Sequence, residues 1–345
     1  MKIVVSKEKN GDCETIGEAL EKARKYRKTG ASDRIIIYIG KGVYQEKLVV
    51  DCQNISMIGE NVQETIITYG DYAKKHMPDG TEYGTFRTAT VRIDADYFLA
   101  ENITFINASG NGKEYGQAIA LYVEGDCVSF HDCRMIGCQD TLFTAPLPPK
   151  KKTGGNGHGP KAEGDRRNGR QYYDNCYIRG DIDFIFGGAT SYFEGCEIFS
   201  NYGVIEDEAR LPEKGPDDRI CGYVTAACTK QGQEYGYVFH NCRFTSDCPA
   251  NTVYLGRPWR DFAKTVLIDC KLGEHIKKEG WFDWGRTEAR KTAYYAEYNS
   301  HKDDEVARPD NIEREKWTFQ LTKDEAEKYT RSRVLGNWDM EQTIQ

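Results

Sequence analysis

Five segments of this 345-residue chain repeat one short pattern: Phe130-His131-Asp132-Cys133-Arg134-Met135, Tyr173-Asp174-Asn175-Cys176-Tyr177-Ile178, Phe193-Glu194-Gly195-Cys196-Glu197-Ile198, Phe239-His240-Asn241-Cys242-Arg243-Phe244 and Leu267-Ile268-Asp269-Cys270-Lys271-Leu272. Each has an apolar residue, a polar pair suited to a turn, a cysteine, and an apolar residue two positions further on. Ala100–Phe105 and Asn54–Met57 echo it with isoleucine in place of cysteine. The cysteines are separated by 43, 20, 46 and 28 residues. The shortest interval matches one coil of a solenoid, and the longer ones fit one or two coils with surface loops. A strand-and-turn unit whose small apolar residues stack in register predicts an all-β parallel β-helix with the cysteines as interior ladder residues. The 34 glycines, 22 tyrosines and 14 phenylalanines suit many strands joined by turns. One repetitive domain over residues 1–345 is the expected organisation.

Helices are expected at both ends. Thr15-Ile16-Gly17-Glu18 is a capping box, and Ile16, Ala19, Leu20 and Ala23 follow at helical spacing. Arg34–Gly40 then reads as a strand, and Gly42–Val50 as a turn and a strand. A second capping box, Thr322-Lys323-Asp324-Glu325, opens a helix through Ala326 and Tyr329. Such helices would cover the exposed edges of a solenoid. Two polar insertions interrupt the pattern. Ala145–Arg170 carries Lys150, Lys151, Lys152, Lys161, Arg166, Arg167 and Arg170 against Glu163 and Asp165, while the stretch Glu206–Arg219 is acidic and contains proline. Both are also readable as plain solvated loops. The twelve cysteines include no CxxC pair, which favours free buried thiols in a reducing compartment over a disulfide framework.

A net charge of -7 and a pI near 5.6 argue against a general nucleic-acid binder, whose affinity comes from clustered positive charge. The amino-terminal Met1–Lys9 holds no apolar run of signal-peptide length, and no stretch is long enough to span a membrane. No G-x-S-x-G elbow occurs. The six histidines make no HExxH or paired metal spacing, and His131 and His240 sit at equivalent repeat positions, which suggests a structural role. Neither a Walker loop nor a G-x-G-x-x-G signature is present. Carboxylate chemistry assisted by amides and an arginine remains. The stretch Gln139–Gly187 has an aspartate at each end beside apolar residues: Leu142 and Phe143 follow Asp140, and Ile182 and Phe184 flank Asp183. An acid in such surroundings persists only if it is paired, hydrogen-bonded or chemically used. Two ordinary turn aspartates would be the simpler reading of this stretch alone. The candidates are Gln117, Gln139, Asp140, Asp183 and Arg257.

Together with Gly42-Val43-Tyr44-Gln45-Glu46, the segments Gln117–Leu121, Gln139–Leu142, Asp183–Gly187 and Leu255–Trp259 resemble, in kind and order, the motif set of the pectin methylesterases (pectinesterases). Similarity continues through Thr85–Val91, Gly280–Trp284 and Tyr295–Asn299, and so covers nearly the whole chain. The resemblance implies a right-handed parallel β-helix that hydrolyses the C6 methyl esters of galacturonate units in pectin and releases methanol without a metal or other cofactor. Carried onto this sequence, it makes Asp183 the nucleophile paired with Arg257, Gln117 and Gln139 the oxyanion donors, and Asp140 the general acid and base. Asp140 must begin protonated, which a neighbouring Asp183 carboxylate and apolar surroundings would favour. Trp259, Phe186 and Thr85 match substrate-binding positions, although Phe186 is also readable as core. Tyr44 and Glu46 are assigned a structural role.

The sequence departs from the family in three places. Asp140 and Asp183 stand 43 residues apart because the basic insertion lies between them, Gly188 replaces a common asparagine, and no signal peptide is visible. The last point favours a cytoplasmic enzyme acting on imported oligogalacturonides, or a trimmed form of a secreted one. The expected partner is methylated homogalacturonan or its oligomers, with no nucleic acid and no membrane, and the protein is expected to be a monomer. Lys150–Lys152 and Arg166–Arg170 are expected to contact free carboxylates on partly de-esterified chains; deletion of Pro146–Arg170 with unchanged substrate preference would contradict this. Two rival readings are a β-helix depolymerase using two carboxylates on a glycosidic bond, which leaves the glutamines without a purpose, and a non-catalytic carbohydrate-binding solenoid, which leaves Asp140, Asp183 and Arg257 without one.

Overall fold

The computed structural model describes residues 1–147, 167–202, 219–302, 313–336 and 338. Strands dominate, and they assemble into three sheets of 11, 9 and 7 strands whose neighbours are all parallel. Each coil adds one strand to each sheet in turn. Arg170–Asp174, Tyr177–Gly180 and Ile182–Gly187 form one coil, and Thr190–Glu194, Glu197–Ser200 and Gly222–Ala227 the next. This is a right-handed parallel β-helix.

The repeat seen in the sequence marks the turn from the 11-stranded to the 9-stranded sheet. Its polar pair ends in a residue with a left-handed backbone: Asn102, Asp132, Asn175, Gly195, Asn241, Asp269 and Asn299 all have φ between 49° and 60°. Asn54 shares that backbone but precedes the strand Ile55–Gly59 of the 11-stranded sheet, so the echo at Asn54–Met57 marks a different turn. Asparagine, aspartate and glycine tolerate that conformation best, which explains their recurrence. The next residue points inward. Cys133, Cys176, Cys196, Cys242 and Cys270 are buried and free, with Ile103 at the equivalent level. Four of these thiols donate to a carbonyl of the preceding coil: Cys176 to Phe130, Cys196 to Tyr173, Cys242 to Phe193 and Cys270 to Phe239, at 3.3–3.5 Å. Beside them Phe130, Tyr173, Phe193 and Phe239 stack nearly parallel, with ring centroids 5.2, 4.6 and 4.4 Å apart. Cysteine is therefore a small apolar residue that also satisfies a buried carbonyl.

One buried cluster runs from Ile3 to Tyr295. Helix Ile16–Arg27 closes its amino-terminal side with Ile16, Ala19, Leu20 and Ala23, and its capping box is formed as expected. Both carboxylate oxygens of Glu46 accept backbone N–H groups at this helix start, from Ile16 at 2.9 Å and Gly17 at 2.8 Å. Tyr44 is buried and donates to the Gly40 carbonyl. The structural role assigned to these two residues thus has a geometry. The carboxyl-terminal helices, Lys323–Ala326 with its capping box and Arg331–Leu335, lie instead on the outer face of the 11-stranded sheet. There Ala326, Val334 and Leu335 cover Tyr172, Tyr192, Val238 and Val266, an apolar face that would otherwise meet water. At the last coils, Trp281 stacks on Tyr295 at 4.3 Å, and Trp317 packs on Tyr295. The Glu297 carboxylate, fully buried, accepts from Trp281 Nε1 and is held by Arg314 through Nε at 2.8 Å and Nη2 at 3.1 Å. Among the described residues no helix is long and apolar enough to cross a membrane.

Removing one partner of that buried pair strands the other charge. Arg314→Ala should therefore destabilise the fold by about 3–5 kcal/mol, read as a shifted denaturant midpoint, whereas a change below about 1 kcal/mol would contradict the pairing.

Candidate active site

The five candidate residues meet on the outer face of the 7-stranded sheet and the turn leading into it. Leu142 pairs with Ile185, so Asp140 and Asp183, far apart in sequence, belong to adjacent coils, and the Asp140 N–H donates to the Ile182 carbonyl at 3.0 Å. Both aspartates have left-handed backbones, with φ of 64° and 50°. The register between Ile182–Gly187 and its next neighbour slips between Ile182 and Ile185, a bulge that re-aims the side chain of Asp183. Arg257 follows the strand Val253–Gly256, one coil beyond that neighbour. Its N–H donates to Thr225, and its guanidinium reaches back to grip Asp183 with two parallel bonds, Nε to Oδ1 at 2.8 Å and Nη2 to Oδ2 at 2.7 Å. On the way it passes between two rings, 3.8 Å from the Tyr223 centroid and 3.7 Å from that of Trp284. The sandwich leaves the guanidinium little freedom except in its own plane, where the carboxylate sits.

The glutamines stand on the neighbouring coil edges. Ala118 N–H donates to the Gln139 carbonyl, and the Gln117 carbonyl accepts from Ala73. Both side chains are half-buried, and among the described residues neither amide has a hydrogen-bond partner. The two aspartates differ sharply in setting. Asp183 is neutralised by Arg257, whereas burial, reinforced by the Asp183 charge, pushes the Asp140 carboxyl well above the ordinary carboxylate range, against the opposing pull of Arg257. An arginine-paired carboxylate and a buried carboxyl that holds its proton more tightly than usual, near two amide side chains, make an arrangement suited to acyl transfer.

Beside these groups runs an aromatic row. Tyr122, Phe143 and Phe186 are in-register partners, with centroids 4.7 and 4.8 Å apart, and Phe186 continues to Trp259 at 5.8 Å. Phe86 stacks on Trp259 at 6.4 Å. Phe186 is only 3 % exposed, so it forms the floor under the half-exposed Trp259. Thr85 precedes Phe86 in a single 3-10 turn and accepts from Thr88. That loop is tied down by Lys47, which bonds Asp71, the Tyr83 hydroxyl and the Arg87 carbonyl. The sequence reading did not single out Tyr223, or give Trp284 a role although it lies in the quoted Gly280–Trp284 segment. It also missed Asp181, a buried carboxyl two positions before Asp183 that accepts from Ile182 N–H at 2.6 Å and that burial pushes up to about 6. Only the two-residue spacing of Asp181 and Asp183 could have hinted at it.

The cations expected to meet substrate carboxylates are partly spent elsewhere. Arg170 pairs with Asp126 through Nε and Nη2 and bonds the Leu335 carbonyl, and Arg167 pairs with Asp96. Both anchor the returning end of the insertion, because carboxylates on the preceding coils lie within reach. Lys150–Lys152, Lys161 and Arg166 lie outside the described residues, as does the acidic stretch apart from Arg219. Among the described residues no group of three or more His, Cys, Asp and Glu side chains could hold a metal ion.

The Pectinesterase family model matches residues 2–147 and 166–337, nearly all of the described structure. The chain belongs to the pectinesterase family. It is 30% identical over 331 residues to pectinesterase 31 of Arabidopsis thaliana, covering 93% of this chain and 88% of that one, and 33% identical over 306 residues to pectinesterase QRT1 of the same plant. It spans only 37% and 48% of the length of two Arabidopsis pectinesterase/pectinesterase inhibitor relatives. Among solved structures it is similar to the pectin methylesterase from carrot, with a TM-score of 0.74 and 28% identity over 99% of this chain and 96% of that one. The similarity to pectin methylesterase PemA from Erwinia chrysanthemi is comparable, with a TM-score of 0.72 and 28% identity over 98% and 97% of the chains. Another pectin methylesterase of the same fold was solved in complex with a hexasaccharide (TM-score 0.73).

Because Asp140 holds its proton more tightly folded than unfolded, its contribution to stability falls as pH rises from the ordinary 3.8 towards its raised native value. Asp140→Asn removes that slope. Its melting temperature should therefore gain on the parent protein's progressively as pH rises above about 4 towards the raised native value. A constant difference across that range would show that Asp140 ionises normally.

Proposed function

We propose that the protein hydrolyses the C6 methyl esters of galacturonate units in homogalacturonan or its oligomers, leaving carboxylates and methanol. The observation that carries this reading is the two-point grip of Arg257 on Asp183 one coil away from a buried Asp140 whose carboxyl is pushed well above its ordinary range, next to the half-buried amide side chains of Gln117 and Gln139.

An Asp183 oxygen attacks the ester carbonyl carbon, and the carbonyl oxygen becomes an oxyanion. Gln117 and Gln139 donate N–H bonds to it; neutral amides do this without giving up a proton. Collapse breaks the bond to methoxide, which takes the proton of Asp140 and leaves as methanol, so the sugar is now joined to Asp183 as an anhydride. Asp140, now a carboxylate, takes a proton from water as that water attacks the anhydride. Galacturonate leaves, Asp183 recovers its charge, and Asp140 its proton. Arg257 aims Asp183 and keeps it ionised throughout. The half-exposed face of Trp259, on its Phe186 floor, suits the apolar side of a pyranose ring.

Methanol release from methylated pectin tests this directly. Asp183→Ala should lose about 10⁴-fold or more, with the protein still folded, and a chelator should leave the parent activity unchanged. Release of reducing ends from fully de-esterified polygalacturonate, without methanol from the methylated polymer, would turn the reading to depolymerisation. Arg257→Lys keeps the charge but not the two-point grip, and should lower kcat by about 100-fold. Unchanged kcat in that variant would remove Arg257 from the reaction.

A further inference from the structure

We propose that Gly112 sets the spacing between the two amide donors, and that any side chain there drives them apart. The proposal rests on the reading of Gln117 and Gln139 as the oxyanion donors. Gly112 opens the single-turn helix Gly112–Tyr115, whose loop ends at Gln117. The Gln139 side chain lies directly against its Cα. A Cβ at residue 112 would stand 2.5 Å from Gln139 Oε1, 2.8 Å from its Cβ and 3.3 Å from its Cδ. Non-bonded carbons do not approach so closely, so one of the two segments must move.

Gln139 is the one that cannot. Its neighbours are laddered to the next coil through Asp140 N–H to Ile182 and Asp181 N–H to Cys138. The Gly112 loop is held less broadly. On its far side Ala73 N–H bonds the Gln117 carbonyl, Lys74 N–H bonds the Tyr115 carbonyl, and Tyr72 meets Tyr115 edge-on at 4.9 Å. A methyl group at residue 112 therefore pushes this loop outward, and Gln117, five residues on, goes with it. The oxygen of the Gln139 amide is turned towards Gly112, which leaves Nε2 for the opposite side.

The backbone does not itself call for glycine here. Gly112 lies outside the left-handed region in which Gly110 and Gly116 sit, with φ of 112° and 75°. At a first helical position alanine is the better helix former. A purely local role thus predicts that Gly112→Ala is neutral or stabilising; the contact with Gln139 predicts lost turnover.

The test is the kinetics of methanol release by Gly112→Ala, alone and combined with Gln117→Ala and with Gln139→Ala. Alongside go melting temperatures and the affinity for a de-esterified oligogalacturonide by calorimetry. The expected result is a kcat lowered about 10- to 100-fold, with KM and oligomer affinity within about threefold and a melting temperature that falls by a few degrees at most and stays well above the assay temperature. The loss should shrink when either glutamine is already alanine, as for coupled sites. A kcat within about twofold of the parent, or a loss of full size in both glutamine backgrounds, overturns the role of Gly112. So does a loss that tracks a melting temperature lowered to near the assay temperature. If Gln117→Ala and Gln139→Ala each leave kcat unchanged, the oxyanion reading itself fails, a result that does not involve Gly112.

Discussion

In-register backbone pairing between successive coils is the constraint on which everything else in the molecule depends. It is kept by one left-handed residue per turn, supplied as asparagine, aspartate or glycine, and by the small interior residue that follows it. Slippage by one residue would turn Cys133 and its successors outward and the apolar rows inward or outward together. The same pairing brings Asp140, Asp183 and Arg257 into one place. Each comes from a different coil, so the insertion between the first two lengthens a loop without moving either end.

Within that frame the site works by contrast. Arg257, held flat between Tyr223 and Trp284, offers Asp183 a fixed two-point partner. Among the described residues Asp140 has no such partner, and burial next to the charge of Asp183 pushes its carboxyl well above the ordinary range. The left-handed backbones of both aspartates and the bulge at Asp183 are the local cost of aiming the two groups. Stability spent there is recovered in the interior aromatic stack and at the ends of the solenoid, where Glu46 and Glu297 each serve backbone or ring donors that would otherwise be orphaned.

Much of this was legible in the sequence. The turn-cysteine repeat is periodic because each coil meets the same steric demand, so architecture, cysteine ladder and amino-terminal helix could all be read from it. The five candidate residues were named from the motifs that hold them, and the coil pairing brings those motifs to one face. What could not be read was anything fixed by three-dimensional neighbours without a periodic trace. The stacking of Tyr223 and Trp284 on Arg257, the burial of Asp181, and the commitment of Arg167 and Arg170 to Asp96 and Asp126 all depend on which coils lie side by side. The carboxyl-terminal helices belong to the same class: their capping box was visible, but the outer face they cover is defined by residues far back in the sequence, from Tyr172 to Val266.

The central claim is that burial beside the Asp183 charge lets Asp140 hold its proton well above the ordinary carboxylate range. Infrared difference spectroscopy between the parent protein and Asp140→Asn reads this directly, at a pH where Asp181, pushed up to about 6, is mostly ionised. A protonated-carboxyl stretching band present in the parent and missing from the variant is the predicted result. Its absence from the parent, or its persistence in the variant, would mean that Asp140 is an ordinary carboxylate and that the division of roles between the two aspartates is wrong.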